Sequence, residues 1–203
     1  MRYSLFALLL LLATACTRET QTTIRFNVQD PDDTPPRVIV GWNNDKVSID
    51  PTTGEGVKTM DLQAPTYALI EVRKHDRRLC FLEPGKDLTL AYSQKKGEKQ
   101  VTYGGVLAKE TEFINQGNYA TTPISYKDTD VKKAAQKADS VLALNLRKVE
   151  TIPFSKTFKE WEAKRQKVET FAALLRFPVY SLMRDSNVTE RNAYLKVLRD
   201  HLA

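Results

Sequence analysis

In the first half of the chain, apolar positions recur at every second residue. From Thr22 to Val28 the residues Ile24, Phe26 and Val28 share one face, with polar side chains between them, which predicts a strand buried on one side. The same language continues through Val38-Ile39-Val40, Lys46 to Ile49, Val57 to Leu62, Tyr67 to Val72, Arg78 to Leu82, Leu88 to Tyr92 and Gln100 to Tyr103. Turn-forming residues separate these runs: Asp30 to Pro36, Asn43-Asn44-Asp45, Pro51 to Gly56, Ala64-Pro65, the charged loop Lys74 to Arg77, Glu83 to Asp87, and Lys95 to Lys99. Eight or nine short strands at spacings of about 8–12 residues predict an antiparallel β-sandwich, in which two sheets bury their inner faces together.

Gly104-Gly105 marks a change of period. Beyond it the apolar residues follow helical spacing. Val106 to Tyr119 predicts a short helix ending near Gly117. Asp130 is an N-cap candidate for Val131 to Val149, where Val131, Ala135, Ala138, Leu142, Leu146 and Val149 form one stripe. Ser155 caps a second long helix that Pro178 should end, with Phe158, Trp161, Val168, Ala172 and Leu175 on its apolar face. Asn187 and Glu190 form a capping-box pattern for a last helix, which carries Tyr194, Leu195 and Leu198. The fold expected is therefore α+β: a β-sandwich over residues 22–105, then a helical region over 106–203.

The first fifteen residues stand outside this pattern. Arg2 precedes a nine-residue apolar stretch, Leu5 to Ala13, too short for a membrane-spanning helix, which needs about 20 residues, but of signal-peptide length. Ala13-Thr14-Ala15-Cys16 follows. It resembles the lipobox of bacterial lipoproteins, with Ala13 where leucine is commonest, and this makes Cys16 the expected lipidation site. Residues 16–21 then read as a tether, and several acyl chains would hold the protein on the membrane without spanning it. The implied location is the bacterial cell envelope, most naturally the outer membrane on its periplasmic or surface side.

The formal net charge is +6. An excess of bases often signals nucleic acid. Here the bases are dispersed, no aromatic platform interleaves with them, and export removes nucleic acid from the expected partners. A solvated polar face is the better reading.

Of the two cysteines, lipidation claims Cys16 and leaves Cys80, inside the apolar run Arg78 to Leu82, as a core residue. No C-x-x-C occurs, so dithiol exchange by this polypeptide alone is not expected. The two histidines offer little: His75 lies in a charged loop and His201 at the terminus. The carboxylate pairs Asp32-Asp33 and Glu160/Glu162 read as solvated charge, the first in a turn and the second on a helix's exposed side. Phosphate-loop, dinucleotide, nucleophile-elbow and zinc-helix motifs do not occur. Neither a catalytic residue, a cofactor nor a metal is expected. Trp42, Tyr67 and Tyr92 are the candidates for a ligand-facing aromatic set.

The run Phe81-Leu82-Glu83-Pro84-Gly85-Lys86-Asp87-Leu88-Thr89-Leu90, followed by Tyr103-Gly104-Gly105, resembles the N-terminal DUF4369-type domain of Bacteroidetes thioredoxin-like lipoproteins. Phe154 to Glu162 and Phe177 to Tyr180 resemble the linker helices of the same family. Family members continue into a thioredoxin fold with W-C-x-x-C, for which this sequence has no matching positions. The resemblance thus implies the platform without the dithiol. Two functions follow as expectations: a non-catalytic binding or scaffold module anchored in the envelope, or the accessory half of a split thiol–disulfide oxidoreductase paired with a thioredoxin-domain protein. The sequence leaves the oligomeric state open.

Overall fold

A computed structural model describes residues 20–29, 34–73, 76–95, 98–121 and 130–181, with positions 192, 195–196 and 199–200. Cys16, the Asp32-Asp33 pair, His75, His201 and the Asn187/Glu190 capping box lie outside these residues. The architecture is α+β, with strands in the N-terminal part and helices in the C-terminal part. It divides into two compact units between Gln116 and Gly117.

Among the described residues, the first unit has eight strands in two sheets. They are β1 (Gln21–Val28), β2 (Arg37–Val40), β3 (Asn43–Lys46), β4 (Glu55–Asp61), β5 (Thr66–Arg73), β6 (Asp76–Leu82), β7 (Asp87–Lys95) and β8 (Glu98–Gly104). One sheet has the order β4-β1-β7-β8 and the other β3-β2-β5-β6. Their inner faces alternate as the sequence period requires. Ile24, Phe26, Val28, Leu88, Leu90 and Tyr92 are buried on the first sheet, and Val38, Ala68, Ile70, Val72 and Cys80 on the second. Ion pairs close the two open edges of the sandwich. Lys58 of β4 meets Asp45 of β3 at 2.7 Å, and at the other edge Asp76 of β6 lies 3.0 Å from Arg78 and 3.9 Å from Lys99 of β8.

Three expectations need correction here. The sandwich is antiparallel at every pairing but one, since β1 and β7 run parallel, Ile24 opposite Leu88 and Phe26 opposite Leu90. Periodicity fixes which face a strand buries, not which strand lies beside it or in which direction. The hairpin turn after β2 falls at Gly41-Trp42, and Asn43-Asn44-Asp45, expected as a connection, opens strand β3, which ends at Lys46, where a strand to Ile49 was expected to begin. Gly41 takes the positive φ that a two-residue hairpin turn needs, and an all-polar, all-exposed edge strand leaves no alternation to detect. The sheet begins one residue earlier than expected, because β1 starts at Gln21 and the Thr20 carbonyl accepts a hydrogen bond from Leu62 N–H at 2.9 Å.

Helix α1 (Ala108–Asn115) packs on β6 and β8, so it belongs with the sheets rather than with the helical region. Its anchor is the Asn115 side chain, which accepts from Leu79 N–H at 3.2 Å and donates to Leu79 C=O at 2.7 Å. The amide imitates a neighbouring strand and covers the edge of β6.

The second unit is built on α2 (Val131–Thr151) and α3 (Lys156–Ser181), packed as an antiparallel pair. Both expected caps form. Asp130 accepts from Lys132 and Lys133 N–H at 3.0 and 3.2 Å, and Ser155 Oγ accepts from Phe158 N–H at 3.1 Å. α3 continues through Pro178 to Ser181, the last described residue of this segment. A proline near a helix end forfeits one backbone bond without forcing a break at that point. The buried row of α3 is also not the expected stripe: Phe158, Glu162, Gln166, Thr170 and Leu174 face inward at four-residue spacing, while Val168 and Leu175 are exposed.

Candidate functional site

Glu162, expected in solvent, is completely buried, whereas Glu160 is exposed. A buried carboxylate persists only with charge and hydrogen-bond partners. Arg165 supplies both, its Nε donating to the two Glu162 oxygens at 3.0 and 2.9 Å and its Nη2 to Oε1, while Nη1 reaches Glu169. Gln166 Nε2 donates to Glu162 Oε1 at 3.3 Å, and Gln166 Oε1 accepts from Asn145 of α2 at 2.9 Å. Asn145 holds both backbone groups of Ala120, at 3.0 and 2.9 Å, and Lys148 donates to the Asn118 carbonyl.

Between these two residues, the Tyr119 ring lies under Arg165, 5.6 Å from the guanidinium carbon. Burial first, and then the charge of Glu162, push the Tyr119 phenol well above its ordinary pKa. The cluster fastens residues 118–120 to the helix pair. With the Glu162 oxygens already engaged, it is built for holding rather than for proton transfer.

The three aromatic candidates do not converge. Trp42 is fully exposed at the β2–β3 tip. Tyr67 lies half-buried on the outer face of the second sheet, its ring 5.6 Å from Phe81. Tyr92 is buried near the far end of β7, under Arg73 at 5.1 Å, with its hydroxyl 3.2 Å from Gln94 Oε1. Trp42 and Tyr67 lie near one end of the second sheet, and Tyr92 on the inner face of the first sheet towards the other end.

Cys80 is fully buried, and burial drives its thiol well above the ordinary value, so it is no nucleophile. Tyr103 shares this environment, its phenol raised by burial and then by Cys80. Among the described residues no group of three or more His, Cys, Asp or Glu could hold a metal ion. Asp139-Ser140 is exposed on α2, and Ser140 Oγ donates to Gln136 C=O at 2.8 Å.

What sequence reasoning missed is a cleft of about 220 Å³ on the outer face of the first sheet. Asn27 and Gln29 at the end of β1, Ala91 and Ser93 on β7, and Gln100 and Thr102 on β8 line it, with Tyr92 beneath. The register explains its shape. Ala91 lies opposite both Asn27 and Thr102, and Ser93 opposite Gln100, so small residues form a floor between amide and hydroxyl walls. Every lining side chain except Ala91 carries an uncharged hydrogen-bonding group. Its signal was present as outward-facing polar residues, but their convergence depends on the parallel β1–β7 neighbourhood. Compared with protein families, curated proteins and solved structures, the chain matches none of them.

Proposed function

We propose that this chain is a lipid-anchored, non-catalytic binding module of the bacterial cell envelope, related to the DUF4369-type platforms of thioredoxin-like lipoproteins. The observation that carries the binding half is the cleft on the first sheet, lined by amides and hydroxyls with no carboxylate, imidazole, thiol or amine among them. Amides and hydroxyls discriminate ligands by hydrogen bonding, and they supply neither a general base near neutral pH nor an activated nucleophile. The ligand class that fits is uncharged and rich in hydroxyl or amide groups, such as a neutral oligosaccharide. The anchoring half rests on the Leu5 to Cys16 pattern.

Two measurements test the reading. Labelled palmitate should enter the protein in its host and be lost with Cys16→Ser. In titrations of isotope-labelled protein with neutral oligosaccharides, the backbone amides of Ala91, Ser93, Gln100 and Thr102 should shift together. Ala91→Phe, which fills the floor from the solvent side, should abolish that response. A panel of oligosaccharides that leaves these amides unmoved sinks the ligand class. For the alternative role beside a thioredoxin-domain protein, buried Cys80 offers no exchangeable thiol, so the partner would bring both sulfurs.

A further inference from the structure

Strand pairing sorts the loops of the sandwich into two ends. β1 starts at one of them, and Thr22 Oγ1 donates to Glu83 C=O there at 2.8 Å. The segment joining β4 to β5 lies at the same end, because Gln21 pairs with Asp61 and Thr20 with Leu62. So does the β8 terminus, because Thr89 near the start of β7 pairs with Gly104 and Asp87 C=O accepts from Leu107 N–H. The β2–β3 tip belongs here as well. Ile39 pairs with Leu69, so the chain leaves β2 towards the start of β5, beside the end of β6. The amide-lined cleft, on the outer face of the first sheet at the opposite ends of β1 and β7, lies away from this end.

This end carries two of the exposed large apolar side chains of the unit, Trp42, fully exposed, and Val106, 63 % exposed. They stand on opposite edges, Trp42 at the tip of the edge pair β2–β3 and Val106 just past edge strand β8, with the start of β1 between them. In the turn between, Glu83 pairs with Lys86 at 2.8 Å, and the pair brings no net charge. Four residues separate Cys16 from Gln21, so a lipidated Cys16 lies within about 18 Å of this end. Tryptophan favours the boundary between headgroups and hydrocarbon, where its ring is apolar and its N–H remains hydrated.

We infer that the sandwich sits end-on against the bilayer, with Trp42 and Val106 entering the lipid interface on either side of the acylated N-terminus. The occupant of this surface is the membrane that holds the anchor. The docking fixes the orientation of the body and presents the cleft away from the membrane. This inference rests on the anchoring reading above.

The test uses full-length acylated protein in vesicles of phosphatidylethanolamine and phosphatidylglycerol, with Trp161→Phe leaving Trp42 as the single tryptophan. Should that variant misfold, subtracting the spectrum of Trp42→Phe isolates the same signal. Trp42 emission should move to shorter wavelength on reconstitution. Brominated-chain lipids should quench it several-fold, and quenching by acrylamide should fall several-fold. Val106→Asp should weaken the quenching by brominated lipids. Acylated protein whose Trp42 stays open to acrylamide and blind to brominated lipid overturns the docking alone. So does Trp42 shielded only in native membranes, where a protein would be its cover. A mass showing unmodified Cys16 overturns the anchoring reading and this inference with it.

Discussion

Gly54 shows how a single position can decide whether the sandwich closes. Its φ is +73°, and a Cβ there would overlap the Val28 carbonyl oxygen, while its own C=O accepts from Val28 N–H at 2.8 Å. Left-handed backbone strain and the clash act together, so Gly54→Ala should lower unfolding free energy by at least about 2 kcal/mol in a denaturant titration. Asn115 is the second such residue. Asn115→Ala strips both hydrogen bonds from Leu79 at the edge of β6 and should cost about 1–3 kcal/mol, with faster hydrogen exchange at Leu79 N–H. Neither effect is visible in the sequence, where Gly54 reads as one turn residue among several and Asn115 as an ordinary helical polar residue. Trp42→Ala, by contrast, should leave stability within about 0.5 kcal/mol, because the ring is fully exposed.

At the scale of elements, the helices α2 and α3 were legible and their faces only partly so. Both caps, Asp130 and Ser155, follow from local chemistry that residue type announces. Ser155→Ala should cost about 1 kcal/mol, read as a lower melting midpoint. Asp130 is held below the ordinary carboxylate pKa, chiefly by Lys133 N–H. A depressed folded-state value means that the cap stabilises α2 above the unfolded-state pKa. That contribution is lost as acid protonates the carboxylate, so helical circular dichroism should decline below about pH 4 in the wild type and decline less in Asp130→Asn.

The inward face of α3 was misread because Glu162 and Gln166 look like solvent residues when seen one at a time. Only the placement of Arg165 and Asn145 makes their burial affordable. Removing one member of a buried pair strands the other charge, so Glu162→Ala should cost about 3–5 kcal/mol in equilibrium unfolding, with Glu162→Gln intermediate.

For the molecule as a whole, three weak acids, one buried and two half-buried, share one pH signature. Cys80, Tyr103 and Tyr119 all have raised folded-state values, burial being the leading cause. A raised value gives stability that is complete below the unfolded-state pKa and drains away as pH climbs towards the folded one. Stability should therefore fall once pH passes the ordinary thiol and phenol range, about 8.5 to 10. Cys80 should also resist thiol reagents at neutral pH until the protein unfolds, so its labelling should track the unfolding transition. Labelling of native protein at the rate of a free thiol would contradict the burial.

The two-part α+β division, most strands and the caps of the long helices were settled by the sequence alone. They depend on period, turn chemistry and capping, all of which act within a few residues. Tertiary structure decided the parallel contact of β1 with β7, the docking of α1 on the sheets, the burial of Glu162 and the gathering of Asn27, Ala91 and Thr102 into a cleft. Each of these joins segments far apart along the chain, and its energy depends on which surfaces meet, a quantity that no local pattern of residues encodes.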